Sequence, residues 1–238
     1  MLGDFLKRLV HRGSSNTGAD AWPAALSDYM SKKSKPPKDK ALGEVRFVVF
    51  DTETTGLDLS KNRLLSIAGV GMTELEVRLD DTFGVMVAQS DVGGSDAAVI
   101  HGLISHDLAD GLPEDEAAAR FLAFAGDAVL VAHHAAFDMR MLQKAIAPHR
   151  GARVWSPSVD TAQLAQRVEV GPMTSNQARG ADQRTPYQLD NLVERYGIDV
   201  PERHTAAGDA LATALLFQRL LRKAERRGIR TLGDLLAR

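Results

Sequence analysis

The sequence contains no cysteine among its 238 residues, and only 5% of its side chains are aromatic. Without cysteine the chain forms no disulfide, binds no iron–sulfur cluster or thiolate-bound zinc, and has no cysteine nucleophile. No stretch approaches the roughly 18 consecutive apolar residues of a membrane span, and Asp4, Lys7 and Arg8 interrupt the N-terminal segment. We therefore expect neither a membrane helix nor a signal peptide, and we predict a cytoplasmic location.

Neither sign of charge dominates, since 29 Lys and Arg stand against 31 Asp and Glu. A net charge of −2 argues against a protein that binds along long nucleic acid by electrostatics alone. It is compatible with a protein that binds a few nucleotides at the end of a nucleic-acid strand. The apolar (44%) and charged (25%) fractions are ordinary for a globular protein, which excludes wholesale disorder and fibrous repeats.

The composition changes early in the chain. Residues 1–45 carry eight Lys and Arg against five Asp and Glu. Helical spacing of apolar residues predicts short helices at 2–12 and at 22–30, followed by a lysine-rich run that we interpret as a solvated linker. We predict an N-terminal helical arm with its linker at 1–42 and a second domain at 43–238.

From residue 46 onward the pattern is that of an α/β domain. Short apolar runs rich in β-formers indicate strands, and apolar residues at helical spacing indicate helices. Three strands in succession, then alternating helices and strands, predict an antiparallel meander continued by parallel strands, with helices against the sheet. The predicted strands are 46–51, 63–72, 73–87, 128–133 and 153–159, and the predicted helices are 112–126, 135–147, 185–198 and 205–228.

The first chemically informative segment is FVVFDTETTG, where an apolar strand ends in acidic residues. Asp51 and Glu53 are two positions apart, so on an extended strand both carboxylates point to the same side. Ligands commonly bind at the carboxyl ends of strands in sheets that contain parallel strands. Neighbouring carboxylates at the rim of a core raise each other's pKa unless a cation neutralises them, which favours a metal site over a solvated turn.

Two further segments carry acidic residues near helix starts. In VLVAHHAAFDMRML, Asp138 lies in the first turn of a helix that follows a strand, where the helix dipole favours negative charge. In ERHTAAGDALATALLF, His204 and Asp209 address one site only if His204 precedes the helix and the helix begins at about Thr205. Each segment alone is compatible with an ordinary cap or surface position. Their order and chemistry together indicate a site.

That order is D-x-E at a strand end, then H-x-A-x-F-D, then H-x₄-D at a helix start. With it the chain resembles the DnaQ-like (DEDDh) exonucleases, which include the proofreading ε subunit of DNA polymerase III, RNase T and oligoribonuclease. The segments IHGLISHDL, VDTAQLAQ and YQLDNLVERYGID also look like the ε-type branch. The resemblance covers residues 46–221 and implies a ribonuclease H-like fold, with a mixed sheet and flanking helices.

The resemblance also implies a role for each matching residue. Four carboxylates would bind two divalent cations, and their hard oxygen ligands suit Mg²⁺ or Mn²⁺. They are Asp51, Glu53, Asp138 and Asp209. His204 would be the general base that deprotonates the attacking water. The residues expected to contact the terminal nucleotide are Thr52, Thr54, Thr55, Gly56, Leu57 and His101.

Two departures from the family pattern bear on the expected role. The second motif carries His134 where the family usually has Asn, so the support of that loop differs. No clamp-binding peptide of the Q-x-x-[LM]-x-F type is found, and the additional residues are N-terminal. This favours a stand-alone exonuclease, or one tethered to a protein partner through residues 1–40, over a subunit in contact with a replicative polymerase.

The sequence therefore predicts a metal-dependent 3′→5′ exonuclease that hydrolyses the phosphodiester bond at the 3′ end of single-stranded or frayed DNA. Its products would be nucleoside 5′-monophosphates. The expected partner is a nucleic-acid 3′ end, with DNA favoured over RNA, and no membrane. The alternatives are an exoribonuclease acting on short RNA, a non-catalytic nucleic-acid-binding module and a phosphodiesterase of small nucleotides.

Overall fold

A mixed five-stranded sheet forms the centre of the structure, a computed structural model that describes residues 22–32, 34–88, 111–170 and 185–237. The strand order is β3-β2-β1-β4-β5, in which β1, β2 and β3 form an antiparallel meander and β4 and β5 continue it in parallel to β1. The strands are β1 (Phe47–Thr54), β2 (Leu64–Thr73), β3 (Glu76–Met86), β4 (Val129–Ala132) and β5 (Ser158–Asp160). The predicted ribonuclease H-like sheet is confirmed.

Seven α-helices accompany this sheet in the described part of the chain. They are α1 (Ala24–Ser31), α2 (Glu114–Ala125), α3 (Ala136–Ile146), α4 (Thr161–Val170), α5 (Leu189–Arg195), α6 (Ala206–Arg226) and α7 (Leu232–Leu236). Short 3₁₀ helices lie at Leu42–Glu44 and Thr185–Tyr187. None of the helices in these described ranges is long and apolar enough to cross a membrane. The cytoplasmic location stays a prediction.

The central strand β1 is buried on both faces because its side chains alternate between two cores. Phe47 and Val49 pack in the core that includes α4, α5 and α6, and the Phe47 ring meets Phe217 edge-on at 5.1 Å. Val48 and Phe50 pack in the opposite core, with α1, α2 and α3. The same alternation decides on which side of the sheet the acidic residues at the end of β1 lie.

Three elements differ from the sequence-based predictions. Of the predicted strand at 153–159, only the end pairs with β4, as part of Ser158–Asp160. The backbone N–H groups of Trp155 and Ser156 instead donate hydrogen bonds to the Tyr29 side chain of α1. Helices α4 and α7 are additional, and α7 begins with a capping box in which Thr231 and Asp234 each accept a backbone N–H of the other. The helix predicted at 2–12 lies outside the described residues.

Helix α1 packs against residues that come much later in the chain. Leu26 and Tyr29 are fully buried, and the Tyr29 ring stacks on Trp155 with 4.9 Å between ring centroids. The Tyr29 hydroxyl accepts the backbone N–H groups of Trp155 (3.0 Å) and Ser156 (3.2 Å). The domain division near residue 42 stays a prediction, but α1 belongs to the same packed core as α2 and α3.

Candidate active site

The carboxyl end of β1 meets the first turn of α6. Asp51 and Glu53 continue the alternation of Phe47 and Val49, so they lie on the α6 side of the sheet. Asp209 is in the first turn of α6. One carboxylate oxygen from each of the three acidic residues lies within 4.8 Å of the other two. We call Asp51, Glu53 and Asp209 the acidic cluster.

The start of α6 is fixed by its cap and by small residues. Thr205 is the N-cap, as the sequence predicts, and its hydroxyl accepts the backbone N–H of Gly208 at 3.1 Å. Alanines of the first turn pack on Ala68 of β2. A Cβ on Gly208 would overlap the carbonyl oxygen of Glu202, so only glycine fits there without a shift. This close approach brings Asp209 to the end of β1.

Asp138 lies on the other side of the sheet, buried in the first turn of α3. Thr52, between Asp51 and Glu53, points to this side, and its hydroxyl donates a hydrogen bond to Oδ1 of Asp138 at 2.6 Å. Asp138 is outside the acidic cluster. Thr52, which we expect to meet the nucleotide through its backbone, thus uses its side chain to hold Asp138.

Burial raises the pKa values of Asp51, Glu53 and Asp138, and neighbouring negative charges add to the effect. Burial raises the pKa of Glu53 to about 8, with a further contribution from the charges of Asp209 and Asp138. Burial also raises the pKa of Asp51 well above its ordinary value, and the three neighbouring carboxylates raise it further. The pKa of Asp138 is raised to about 7 by burial, although the hydrogen bond from Thr52 opposes this. Buried oxygen donors of like charge fit a divalent cation such as Mg²⁺ or Mn²⁺.

The turn before α6 brings a histidine and an arginine to Asp209. His204 has an exposed side chain, and its backbone N–H donates to Oδ1 of Asp209 at 3.2 Å. Arg203 donates from Nε to the same oxygen at 2.6 Å and from Nη2 to Asp190 at 2.7 Å. The motifs do not single out Arg203. Its place next to His204 is the signal in the sequence that could have drawn attention to it.

The residues expected to meet a nucleotide lie in the loop after β1. The Thr54 hydroxyl donates a hydrogen bond to the carbonyl oxygen of Gly56 at 2.8 Å. The backbone N–H of Thr55 donates to the carbonyl oxygen of Arg63, just before β2, at 3.0 Å. These hydrogen bonds hold the loop in its conformation. The backbone N–H of Thr55 is therefore already hydrogen-bonded within the protein. Leu57 is 86% exposed beside them. His101 lies outside the described residues.

The second motif forms the turn after β4. His134 has a φ of 58°, in the left-handed region where Asn, Asp and His are enriched, which explains how His replaces the family's Asn. The backbone N–H of His134 donates to Asp160, which also accepts the N–H of Ala162 at the start of α4. His133 hydrogen-bonds the Thr161 hydroxyl at 2.9 Å, and burial lowers the pKa of His133 to about 4. His133 is therefore neutral and structural.

Comparison with known proteins relates this geometry to a family. The model of the RNase T exonuclease family matches residues 48–217. A DNA polymerase III subunit epsilon-like protein of Rhodobacter capsulatus is 35% identical over 198 residues, which are 82% of this chain and 26% of that protein. A PolC-type DNA polymerase III of Thermotoga maritima is 28% identical over 197 residues, which are 83% of this chain and 13% of that protein.

Among solved structures, exonuclease I of E. coli in complex with a dT13 oligonucleotide has a similar fold. The TM-score is 0.60 at 16% identity, and the match covers 78% of this chain and 43% of that chain. The residues of the family match include Asp51, Asp138 and Asp209. The predicted relationship to the DnaQ-like exonucleases is confirmed. The chain belongs to the RNase T exonuclease family.

Proposed function

We propose that this chain is a metal-dependent 3′→5′ exonuclease that removes nucleoside 5′-monophosphates from single-stranded or frayed DNA ends. The observation that carries the proposal is the acidic cluster, whose carboxylate oxygens come within 4.8 Å of one another at the end of the central strand. Its members come from distant parts of the chain, and the family match includes all of them. Such a partly buried group of carboxylates is typical of a functional site.

The acidic cluster and Asp138 are the proposed ligands of two divalent cations, Mg²⁺ or Mn²⁺. When bound, these cations would acidify the attacking water and stabilise the leaving 3′ oxygen. Asp51 and Glu53 share one side of the sheet with Asp209, whereas Asp138 approaches from the other side, held by Thr52. The acidic cluster and Asp138 together thus offer oxygen ligands from both sides of the end of β1.

His204 is the proposed general base. Its side chain is exposed just before α6, where water reaches it, and its backbone is hydrogen-bonded to Asp209 of the acidic cluster. A neutral imidazole in this position accepts a proton from the attacking water, a role that contributes roughly 10²–10⁴-fold in rate. This hydrogen bond fixes the His204 backbone beside Asp209, although His204 is not a member of the acidic cluster.

The loop after β1 is the proposed contact for the terminal nucleotide. Exposed Leu57 offers an apolar surface to a base, and contacts of this kind tolerate any sequence. Exonuclease I, which shares the fold, was solved with a DNA oligonucleotide, and the relatives named above carry DNA polymerase III names. Both observations favour DNA over RNA. The tether to a protein partner through residues 1–40, and the absence of a replicative polymerase contact, stay predictions.

The decisive experiment compares DNA and RNA oligonucleotides of one sequence, labelled at the 3′ or the 5′ end, with Mn²⁺ or with EDTA. We expect immediate release of a 3′-labelled mononucleotide and stepwise shortening of the 5′-labelled strand, only with Mn²⁺ and faster on DNA. Asp209→Asn should lose this release, whereas Asp28→Asn, on the exposed face of α1, should keep it. Release in EDTA or from the 5′ end would contradict the proposal, and faster release from RNA would reassign the substrate.

A further inference from the structure

Arg203 connects the acidic cluster to helix α5. Its Nε–H donates to Oδ1 of Asp209 at 2.6 Å, and its Nη2 donates to Oδ1 of Asp190 at 2.7 Å. The side chains of Arg203 and Asp209 are only 19% and 16% exposed, whereas that of Asp190 is 66% exposed. A planar guanidinium presents its donors in a rigid fork, which suits an arrangement between two carboxylates. Arg203 thus brings a shielded positive charge into contact with a proposed metal ligand.

The backbone on both sides of Arg203 is bent to make this contact. Glu202 and His204 have φ values of 58° and 66°, in a region that residues other than glycine rarely adopt. Such conformations persist where the surrounding structure enforces them. Here Gly208 packs directly beneath the carbonyl of Glu202 and admits no side chain. In this turn the Arg203 guanidinium and the backbone N–H of His204 both donate to the same oxygen of Asp209.

Both donors bind Oδ1 of Asp209, and one oxygen of the same carboxylate lies within 4.8 Å of oxygens of Asp51 and Glu53. Carboxylates that bind metals are commonly oriented by such outer hydrogen bonds, and losing one costs about 10–100-fold in metal affinity or activity. We propose that Arg203 is a positioning residue that orients Asp209 toward the metal, and that Asp190 in turn holds Arg203. This inference rests on the proposed function, because it assumes that Asp209 binds a divalent cation.

The test is Mn²⁺ binding without substrate, measured by calorimetry and by the electron paramagnetic resonance signal of free Mn²⁺. Arg203→Gln should raise the Kd for Mn²⁺ about 10–100-fold. Arg203→Lys should have a smaller effect, because lysine keeps the charge and loses the fork. Asp190→Asn should raise the Kd slightly, since Asp190 is largely exposed. Arg222→Gln, which removes an exposed charge from α6, the helix that carries Asp209, should leave the Kd unchanged.

Steady-state kinetics provide a second readout that a merely structural residue would not show. Excess Mn²⁺ should restore most of the kcat of Arg203→Gln, and the KM for the oligonucleotide should stay at the wild-type value. A raised KM at saturating Mn²⁺ would overturn the inference, because it would show that Arg203 contacts the substrate. If Arg203→Gln fails to fold, Arg203→Lys and Asp190→Asn carry the same test.

The remaining outcomes separate this inference from the proposed function. If the wild-type chain binds Mn²⁺ and Arg203→Gln binds it equally well, the positioning role is wrong and the proposed function stands. Tighter binding by Arg203→Gln also overturns the inference, since it would show that Arg203 competes with the metal for Asp209. A wild-type chain that binds no Mn²⁺ overturns both.

Discussion

Tyr29 and Asp51 lie in opposite kinds of polar surroundings. The Tyr29 hydroxyl is neutral and hydrogen-bonded to the backbone of Trp155 and Ser156. At Asp51, buried carboxylates of like charge meet, and burial raises the pKa of Asp51 well above its ordinary value. Paired neutral groups stabilise a fold, whereas repelling charges cost stability unless a ligand relieves them. The difference indicates that the first region serves the fold and the second serves the chemistry.

The comparison is tested most strongly by Asp51→Asn, which removes one charge with little change in volume. Activity with Mn²⁺ should fall at least about 10³-fold, because the metal contributes several kcal/mol of charge stabilisation. The metal-free variant should unfold at a higher temperature than the wild type, because repulsion in the acidic cluster decreases. Nucleotide release and thermal unfolding in EDTA measure the two effects. Undiminished release would show that the cluster is not catalytic.

His204 sharpens the distinction between a metal ligand and a base. His204→Asn suits the left-handed backbone at this position better than alanine does, so it changes the imidazole and preserves the turn. Turnover should fall about 10²-fold, and the Kd for Mn²⁺ should stay unchanged. Rates at saturating Mn²⁺, together with calorimetry, separate the two quantities. Loss of Mn²⁺ binding would mean that His204 is a ligand.

Tyr29→Phe is the matched change in the other region. It keeps the ring stacked on Trp155 and leaves buried N–H groups without an acceptor, which should lower the free energy of unfolding by about 1–3 kcal/mol. Activity should be unchanged wherever the variant is folded. Denaturant titration and nucleotide release under the same conditions check both statements.

A truncation that tests the N-terminal arm should remove only residues before α1, because Leu26 and Tyr29 of α1 are core residues.

Much of the acidic cluster could be predicted from local pattern. The two-residue period of β1 places Asp51 and Glu53 on one side, and a helix beginning at Thr205 places Asp209 in its first turn. The same period predicts that Thr52 points the other way. Its partner Asp138 could be predicted only as a site residue, because which helix covers which face depends on packing between segments 86 residues apart.

The contacts that the sequence did not reveal are those between distant elements. Tyr29 meets Trp155 across 126 positions, and no local pattern relates a short N-terminal helix to an irregular segment before β5. Arg203 is similar, since its bond to Asp190 depends on how α5 lies beside α6. Local sequence specifies which side of an element a residue occupies, whereas tertiary packing decides what that residue meets there.

The last expected effect concerns the acidic cluster alone and is the pH dependence of metal-free stability. The pKa of Glu53 is raised from 4.5 to about 8 in the folded protein, so the folded state holds this proton more tightly than the unfolded state does. The contribution of Glu53 to the free energy of unfolding is therefore fully present below about pH 4.5 and is lost as the pH rises to about 8. Mn²⁺ should then raise the unfolding temperature more at about pH 8 than at about pH 5. Glu53→Gln should flatten the slope of stability against pH that the wild type shows. The variant and the wild type must be compared at each pH because His133, whose pKa is lowered to about 4, has the opposite effect on stability below about pH 6.5. An equal Mn²⁺ effect at both pH values would show that the cation binds elsewhere.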